Sequence, residues 1–305
     1  MRESLAEILI ELGSENEKIV VVDCDVSKST KSSLFKEVFP NRFISVGISE
    51  QDLVGVSAGL AIAGKIPLAC SFSMFLSRAW EQIRNTVCKD NLNVKFIVTH
   101  SGLSDHLDGY SHQSLEDIAI FRVIPNMKVV VPSDSIALRK LLRKAVEIEG
   151  PFYIRLGRDN EIRIYEDHEE FEIGKAKILF KGKDAYIIAC GTMVGISLEI
   201  SRILKEKGLN VGVVDMHTIK PLDQNTLLNI SKDVPIIFTL EEHSIIGGLG
   251  SAVSEFISET NPIPVKRLGI NDRFGTCGRS YFELLSYFNL LPEQLAKRIE
   301  VILNS

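Results

Sequence analysis

Glu50 stands where an apolar run, Arg42 to Val46, gives way through Gly47-Ile48-Ser49 to a stretch crowded with Gly55, Ser57, Ala58, Gly59, Ala61, Ala63 and Gly64. A carboxylate at such a strand-to-helix turn can accept a hydrogen bond or a proton from a bound group. Its ordinary use is as a charge on the helix dipole, worth under about 1 kcal/mol. The small residues behind it let another backbone approach closely. Further on, Cys70-Ser71-Phe72-Ser73-Met74-Phe75 places two rings three positions apart, so both can face one side of a turn, although phenylalanines beside a buried strand are more often core. His100 closes the next apolar run, and Asp108-Gly109-Tyr110-Ser111-His112-Gln113 follows in a glycine-containing loop. Imidazoles at the carboxyl end of a strand can line a cleft and shuttle protons to substrate oxygens. A lone histidine would more often be a satisfied structural group. Arg158, in Gly157-Arg158-Asp159-Asn160, carries a guanidinium fork that suits a phosphate, or equally a neighbouring carboxylate.

Short β-rich runs alternating with helical patterns must position these groups, which predicts parallel α/β layers. A first amphipathic helix holds Leu5, Ile8, Leu9 and Leu12, and Lys18–Asp23, Asn93–Thr99, Met127–Pro132 and Tyr153–Leu156 read as strands. Leu115–Arg122 reads as a helix. Residues 160–174, rich in Glu161, Arg163, Glu166, Asp167, Glu169 and Glu170, read as a solvated linker or edge hairpin. A second series follows, with strands at Ala185–Ala189, Asn210–Asp215, Pro235–Leu240 and Ile263–Leu268 and a one-sided helix at Val194–Lys207. The expected organisation is therefore two α/β domains, 1–170 and 171–305, each around a mostly parallel sheet. The second is expected to carry one antiparallel edge strand. Gly247-Gly248-Leu249-Gly250 lacks the third glycine and distant acid of a dinucleotide loop and reads as a tight turn before a helix.

At 305 residues, two domains can each bury a core. Apolar residues are 45% and charged residues 25%, as in an ordinary globular protein. The formal charge of −5, with dispersed basic residues, gives no footprint for nucleic acid. No apolar run reaches the roughly 20 residues of a membrane span, and the start lacks a signal-peptide pattern. The 5 cysteines (24, 70, 88, 190 and 277) show neither a C-x-x-C pair nor zinc-like spacing, which fits buried reduced thiols in a cytoplasmic protein and no metal bound by this chain.

At this order and spacing the Glu50, Phe72–Phe75 and Asp108–Gln113 segments resemble the pyrimidine-binding domain of transketolases, which use thiamine diphosphate. The resemblance covers nearly the whole chain but only the second half of a full-length transketolase: a pyrimidine-binding domain followed by the family's C-terminal domain. It implies that Glu50 hydrogen-bonds the cofactor's pyrimidine nitrogen and stabilises its imino tautomer. Phe72 and Phe75 would pack the aminopyrimidine, with Arg78 where several transketolases carry a further aromatic residue and Asp25 on the thiazole side. His100, Asp108 and His112 match substrate-side residues, and Arg158, Arg2 and Ser29 match phosphate contacts. Ser29 and Asp25 also read as plain helix caps. The stretch Ser104-Asp105-His106-Leu107 departs from the family's glycine- and acid-rich version.

The G-D-G…N motif that holds the divalent metal and diphosphate in this family is absent, so the resemblance implies a split enzyme. A partner chain is expected to bring the diphosphate site and the Mg2+ ligands. Self-association through the pyrimidine domain, in an α2β2 assembly, is expected from the small residues of 55–64. The implied reaction is transfer of a two-carbon ketol unit between sugar phosphates. The Phe72–Ala79 segment is also similar to deoxyxylulose-phosphate synthases and 2-oxoacid dehydrogenase β chains. A dehydrogenase β subunit and a noncatalytic binding subunit of the same fold are the alternatives. Glu241-Glu242-His243-Ser244 is expected to be structural or interfacial.

Overall fold

The computed structural model describes residues 1–158 and 162–305; Asp159, Asn160 and Glu161 lie outside the described residues. The first sheet is built from β1 (Ile19–Asp23), β2 (Phe43–Ser45), β3 (Ile66–Phe72), β4 (Lys95–Thr99), β5 (Lys128–Val130) and β6 (Phe152–Arg155). These pair in parallel. The second sheet holds β7 (Lys177–Phe180), β8 (Ala185–Ala189), β9 (Val211–Asp215), β11 (Ile237–Ser244) and β12 (Val265–Ile270), while β10 (Thr218–Lys220) joins the first. The strand orders are β10-β5-β6-β4-β3-β1-β2 and β12-β11-β8-β9-β7. As expected, the second sheet is parallel except for one antiparallel edge strand, β7 against β9.

Runs such as Ile-Val-Val-Val-Asp in β1 are buried throughout. Both faces of a parallel sheet are covered, so β-branched residues need no polar alternation. On one face of the first sheet lies the Arg2–Glu15 helix, whose Leu5, Leu9 and Leu12 meet Leu138 and Leu141 of the Ser135–Glu147 helix. On the other, a single apolar cluster runs from Val22, Phe96 and Val129 into Ile188, Val214 and Ile237 of the second sheet. A buried leucine or isoleucine contributes about 1.5–3 kcal/mol, so this shared core locks the two sheets together.

Two features differ from the sequence expectation. Strand β10 crosses back and pairs antiparallel with β5, extending the first sheet with residues from the second half of the chain. The segment from Ile162 to Gly174 forms no strand and is no solvated linker: Tyr165 and Phe171 are buried, and the Ile164 and Tyr165 N–H groups donate to Asp134 Oδ2 at 2.8 and 2.9 Å. Its charged residues face outward while two aromatic rings anchor it, a pattern that a count of charges conceals. The glycine-rich string is a turn, with Gly247 at φ +79°, leading into the Leu249–Thr260 helix. Cys277 is exposed, whereas the other four free cysteines are buried as expected. Burial pushes the Cys24 and Cys88 thiols up to about 12, which keeps them protonated and inert.

Candidate active site

In strand order across the first sheet, β6 leads to Arg158, β4 to His100, β3 ends at Phe72, β1 leads to Asp25 and Ser29, and β2 leads to Glu50. The candidates therefore share the carboxyl edge of one parallel sheet, where open α/β folds bind ligands. Arg2 opens the helix preceding β1, and its Nη1 donates to the Ser29 carbonyl at 2.8 Å.

At the centre is a cluster of rings. The Phe72 and His100 ring centroids lie 3.7 Å apart and stack. Phe75 stacks on Phe72 at 5.0 Å, and His112 meets Phe75 edge-on at 5.1 Å. His100 has φ +60°, a left-handed conformation at the end of its strand. Thr99 Oγ1 lies 2.7 Å from His100 Nδ1, orienting the imidazole. Glu50 begins the Glu50–Ile62 helix and is 7% exposed. These groups fit an aminopyrimidine: apolar ring faces on the same sheet edge as a buried carboxylate that can take a ring N–H. Arg78 is exposed on the Ser77–Ala79 turn, and Asp25 is exposed in a left-handed loop position.

The loop that carries Asp108 and His112 is closed at its base by bridges between Ser101, Gly102 and Ser114. Asp108 is exposed, and His112 is partly exposed with Nδ1 at 2.9 Å from Ser111 Oγ. Arg158 reaches into this loop, its Nη1 donating to Asp105 Oδ1 at 2.9 Å. Asp105 was not among the sequence candidates. Neither were the groups that brace the loop from the second half of the chain. Glu242 accepts the Leu103 N–H at 2.5 Å, the Thr192 hydroxyl at 2.9 Å and the Tyr281 hydroxyl at 2.6 Å. Gln113 Nε2 donates to the Asp105 and Thr276 carbonyls, both at 3.0 Å, and Gly278 N–H donates to the His106 carbonyl at 2.8 Å. Gly109, at φ +71°, lets Cys277 close in; a Cβ there would lie 2.5 Å from its sulfur. Gln113 stood inside the motif already singled out, which was the available signal. Glu242 has a structural role, as its segment was expected to.

A buried network sits beneath the ring cluster. Asp117 Oδ2 accepts from Ser73 Oγ at 2.9 Å, Tyr153 OH at 2.9 Å and Arg155 Nε at 2.7 Å. Burial pushes the Asp117 carboxyl up, but Arg155, with His243 and the Ser73 hydroxyl, outweighs it and holds the group below the usual carboxylate range. Ser73 starts the turn that carries Phe75 and follows Phe72, so this ion pair fixes the aromatic platform. Glu241, also buried, accepts the N–H groups of Leu249 and Gly250 at the start of the Leu249–Thr260 helix. No group of His, Cys, Asp or Glu among the described residues could hold a metal ion. None of the described helices is long and apolar enough to cross a membrane.

Comparison with known proteins agrees with this geometry. The family described as "Transketolase, pyrimidine binding domain" matches residues 1–161, and "Transketolase, C-terminal domain" matches residues 174–295. A Methanocaldococcus jannaschii protein named for the C-terminal section of transketolase is 49% identical over 304 residues, covering 98% of this chain and 95% of its own. A 6-deoxy-6-sulfo-D-fructose transketolase subunit of a Clostridium species is 36% identical, covering 97% and 92%. A solved chain described as "Split gene transketolase, inactive beta4 tetramer" superposes with a TM-score of 0.90 at 45% identity, covering 99% of this chain and 98% of that one. Neither the dehydrogenase nor the noncatalytic alternative is needed. The chain belongs to the transketolase family, as a subunit of a split transketolase.

Proposed function

We propose that this chain is the pyrimidine-side half of a thiamine diphosphate-dependent transketolase that moves a two-carbon ketol unit between sugar phosphates. The observation that carries this reading is the stacked Phe72–His100 pair, with Phe75 and His112 against it, on the sheet edge that also holds Glu50 and Arg158. Thiamine diphosphate supplies the carbanion chemistry when bound. Glu50, buried at the start of its helix, takes the pyrimidine N–H and holds the ring in its reactive proton state. Phe72 and Phe75 exclude water from the ring face. His100 and His112 give and take protons at substrate oxygens. Asp108 accepts from a sugar hydroxyl, and Arg158, Arg2 and Ser29 hold the phosphate. Arg78 and Asp25 lie at the rim of the cofactor site.

The diphosphate and its Mg2+ would sit on a partner chain, so activity requires both. The solved relative's description as an inactive β4 tetramer is in keeping with that requirement. Gly55 and Gly59 face open space, and Ile48 and Ile62 are 83% and 74% exposed, an apolar face suited to pairing two copies of this chain in an α2β2 assembly. The domains divide at 1–170 and 171–305, and the buried free thiols suit a cytoplasmic setting.

The test is ketol transfer from xylulose 5-phosphate to ribose 5-phosphate with thiamine diphosphate and magnesium. The chain is assayed alone, then with a diphosphate-binding partner. Activity only in the mixture is the expected outcome, and activity of the lone chain would overturn the half-site reading. In the mixture, Glu50→Gln lowers kcat by at least about a hundredfold with assembly intact. An undiminished rate in that variant rejects the assignment.

A further inference from the structure

Arg158 meets a carboxylate that the family resemblance does not supply. Asp105 accepts from its Nη1 at 2.9 Å, with the Asp105 side chain 2% exposed and the Arg158 side chain 32% exposed. Asp105 is no surface partner that can swing aside. Its own carbonyl is held by Gln113 Nε2 at 3.0 Å, and Gln113 in turn bonds Thr276. The preceding Ser104 Oγ donates to the Ser101 carbonyl at 2.7 Å. Burial raises the Asp105 carboxyl pKa and nearby Asp108 raises it further, while Arg158 and His112 draw it down. A buried carboxylate thus faces the Arg158 guanidinium on the loop that also carries Asp108 and His112.

We propose that Asp105 is a specificity-determining residue: as a fixed counter-charge to Arg158, it lowers the site's preference for a dianionic terminal phosphate relative to an uncharged sugar end. This rests on the reading of Arg158 as the phosphate holder. A guanidinium has five N–H donors in a fixed fork, and Asp105 occupies one of its nitrogens. The incoming phosphate must share that fork with a carboxylate a few ångströms away, and like charges at that range repel strongly outside bulk water. An unphosphorylated sugar meets no such repulsion, and the exposed Asp108 can accept from its hydroxyls. Charge at position 105 therefore sets the ratio between phosphorylated and unphosphorylated acceptors without touching the reacting carbon.

Asp105→Asn keeps size and an acceptor oxygen for Arg158 while removing the charge. In the complex with the diphosphate-binding partner, kcat/KM is measured for ribose 5-phosphate and for ribose as acceptors. The ratio is expected to rise roughly tenfold in the variant, through a lower KM for ribose 5-phosphate at unchanged kcat. Because both acceptors are read on one preparation, partial misfolding cancels; Asp105→Ser serves if the asparagine variant does not fold. An unchanged or smaller ratio overturns the proposal. If the wild-type complex transfers no ketol unit, the functional reading fails separately. Calorimetric binding of ribose 5-phosphate and ribose to the complex then decides on Asp105, by whether the variant tightens the phosphate sugar alone.

Discussion

His100 shows how a single residue joins conformation to chemistry. Its φ of +60° is one that residues other than glycine seldom adopt, yet it lays the imidazole on Phe72 and beside Thr99 Oγ1. Such a conformation costs an L-residue about 1–2 kcal/mol, so the ring contacts must offset it. His100→Gly should therefore be more stable than His100→Ala by about 1 kcal/mol in urea unfolding, while both lose ketol transfer. Equal stability would show that the conformation carries no strain. The identity of His100 was legible in the sequence because it closes an apolar run. Its handedness was not, since nothing in Thr99-His100-Ser101 requires a positive φ. Asp105 was missed for a similar reason. Its partner lies 53 positions away, and no local pattern links them.

Among the elements, the Asp117–Arg155 pair ties the Asp117–Arg122 helix, the end of β6 and the Ser73 turn into one buried unit. Removing one partner of a buried pair leaves an uncompensated charge and typically costs about 3–5 kcal/mol. Asp117→Ala is expected to lose about that much stability, because Arg155 is 6% exposed and Tyr153 and Ser73 lose their shared acceptor. Replacing both, as Asp117→Leu with Arg155→Met, should recover most of the loss in the same denaturant titration. If the double variant is as unstable as the single, the charge is not the cause. The helix from Asp117 and strand β6 were each readable from apolar runs and β-branching. Their polar fastening was not, because Asp117 at a helix start reads as an ordinary first-turn acid.

Across the whole molecule, Asp215 of β9 joins the halves: its Oδ2 accepts from Ser133 Oγ at 2.7 Å and from Tyr165 OH at 2.8 Å. Burial pushes its carboxyl up to about 7; Asp134 adds to this, against the two hydrogen bonds and Lys177. An unfolded aspartate titrates near 3.9, so between about 4 and 7 the folded state binds the extra proton. The stabilising contribution is complete below that window and lost as pH rises through about 7. Asp215→Asn should thus gain thermal stability relative to wild type as pH goes from 4.5 to 7.5, with no further gain above. A pH-independent gap between the two melting temperatures would refute the raised carboxyl. The interface it occupies was opaque in sequence, because the linker's surface charges masked Tyr165 and Phe171 and because β10 crosses to the first sheet.

The sequence by itself determined the two α/β series, the strand ends that carry Glu50, Phe72, His100 and Arg158, and the family. Period, β-branching and motif spacing are local, and they survive without a third dimension. Only the tertiary structure decided which groups meet: His100 on Phe72, Arg158 on Asp105, Glu242 and Gln113 fastening the 101–114 loop to the second half of the chain. These contacts join residues far apart in the chain. Their geometry is set by sheet order and by the shared core between the sheets, which no window of neighbouring residues encodes.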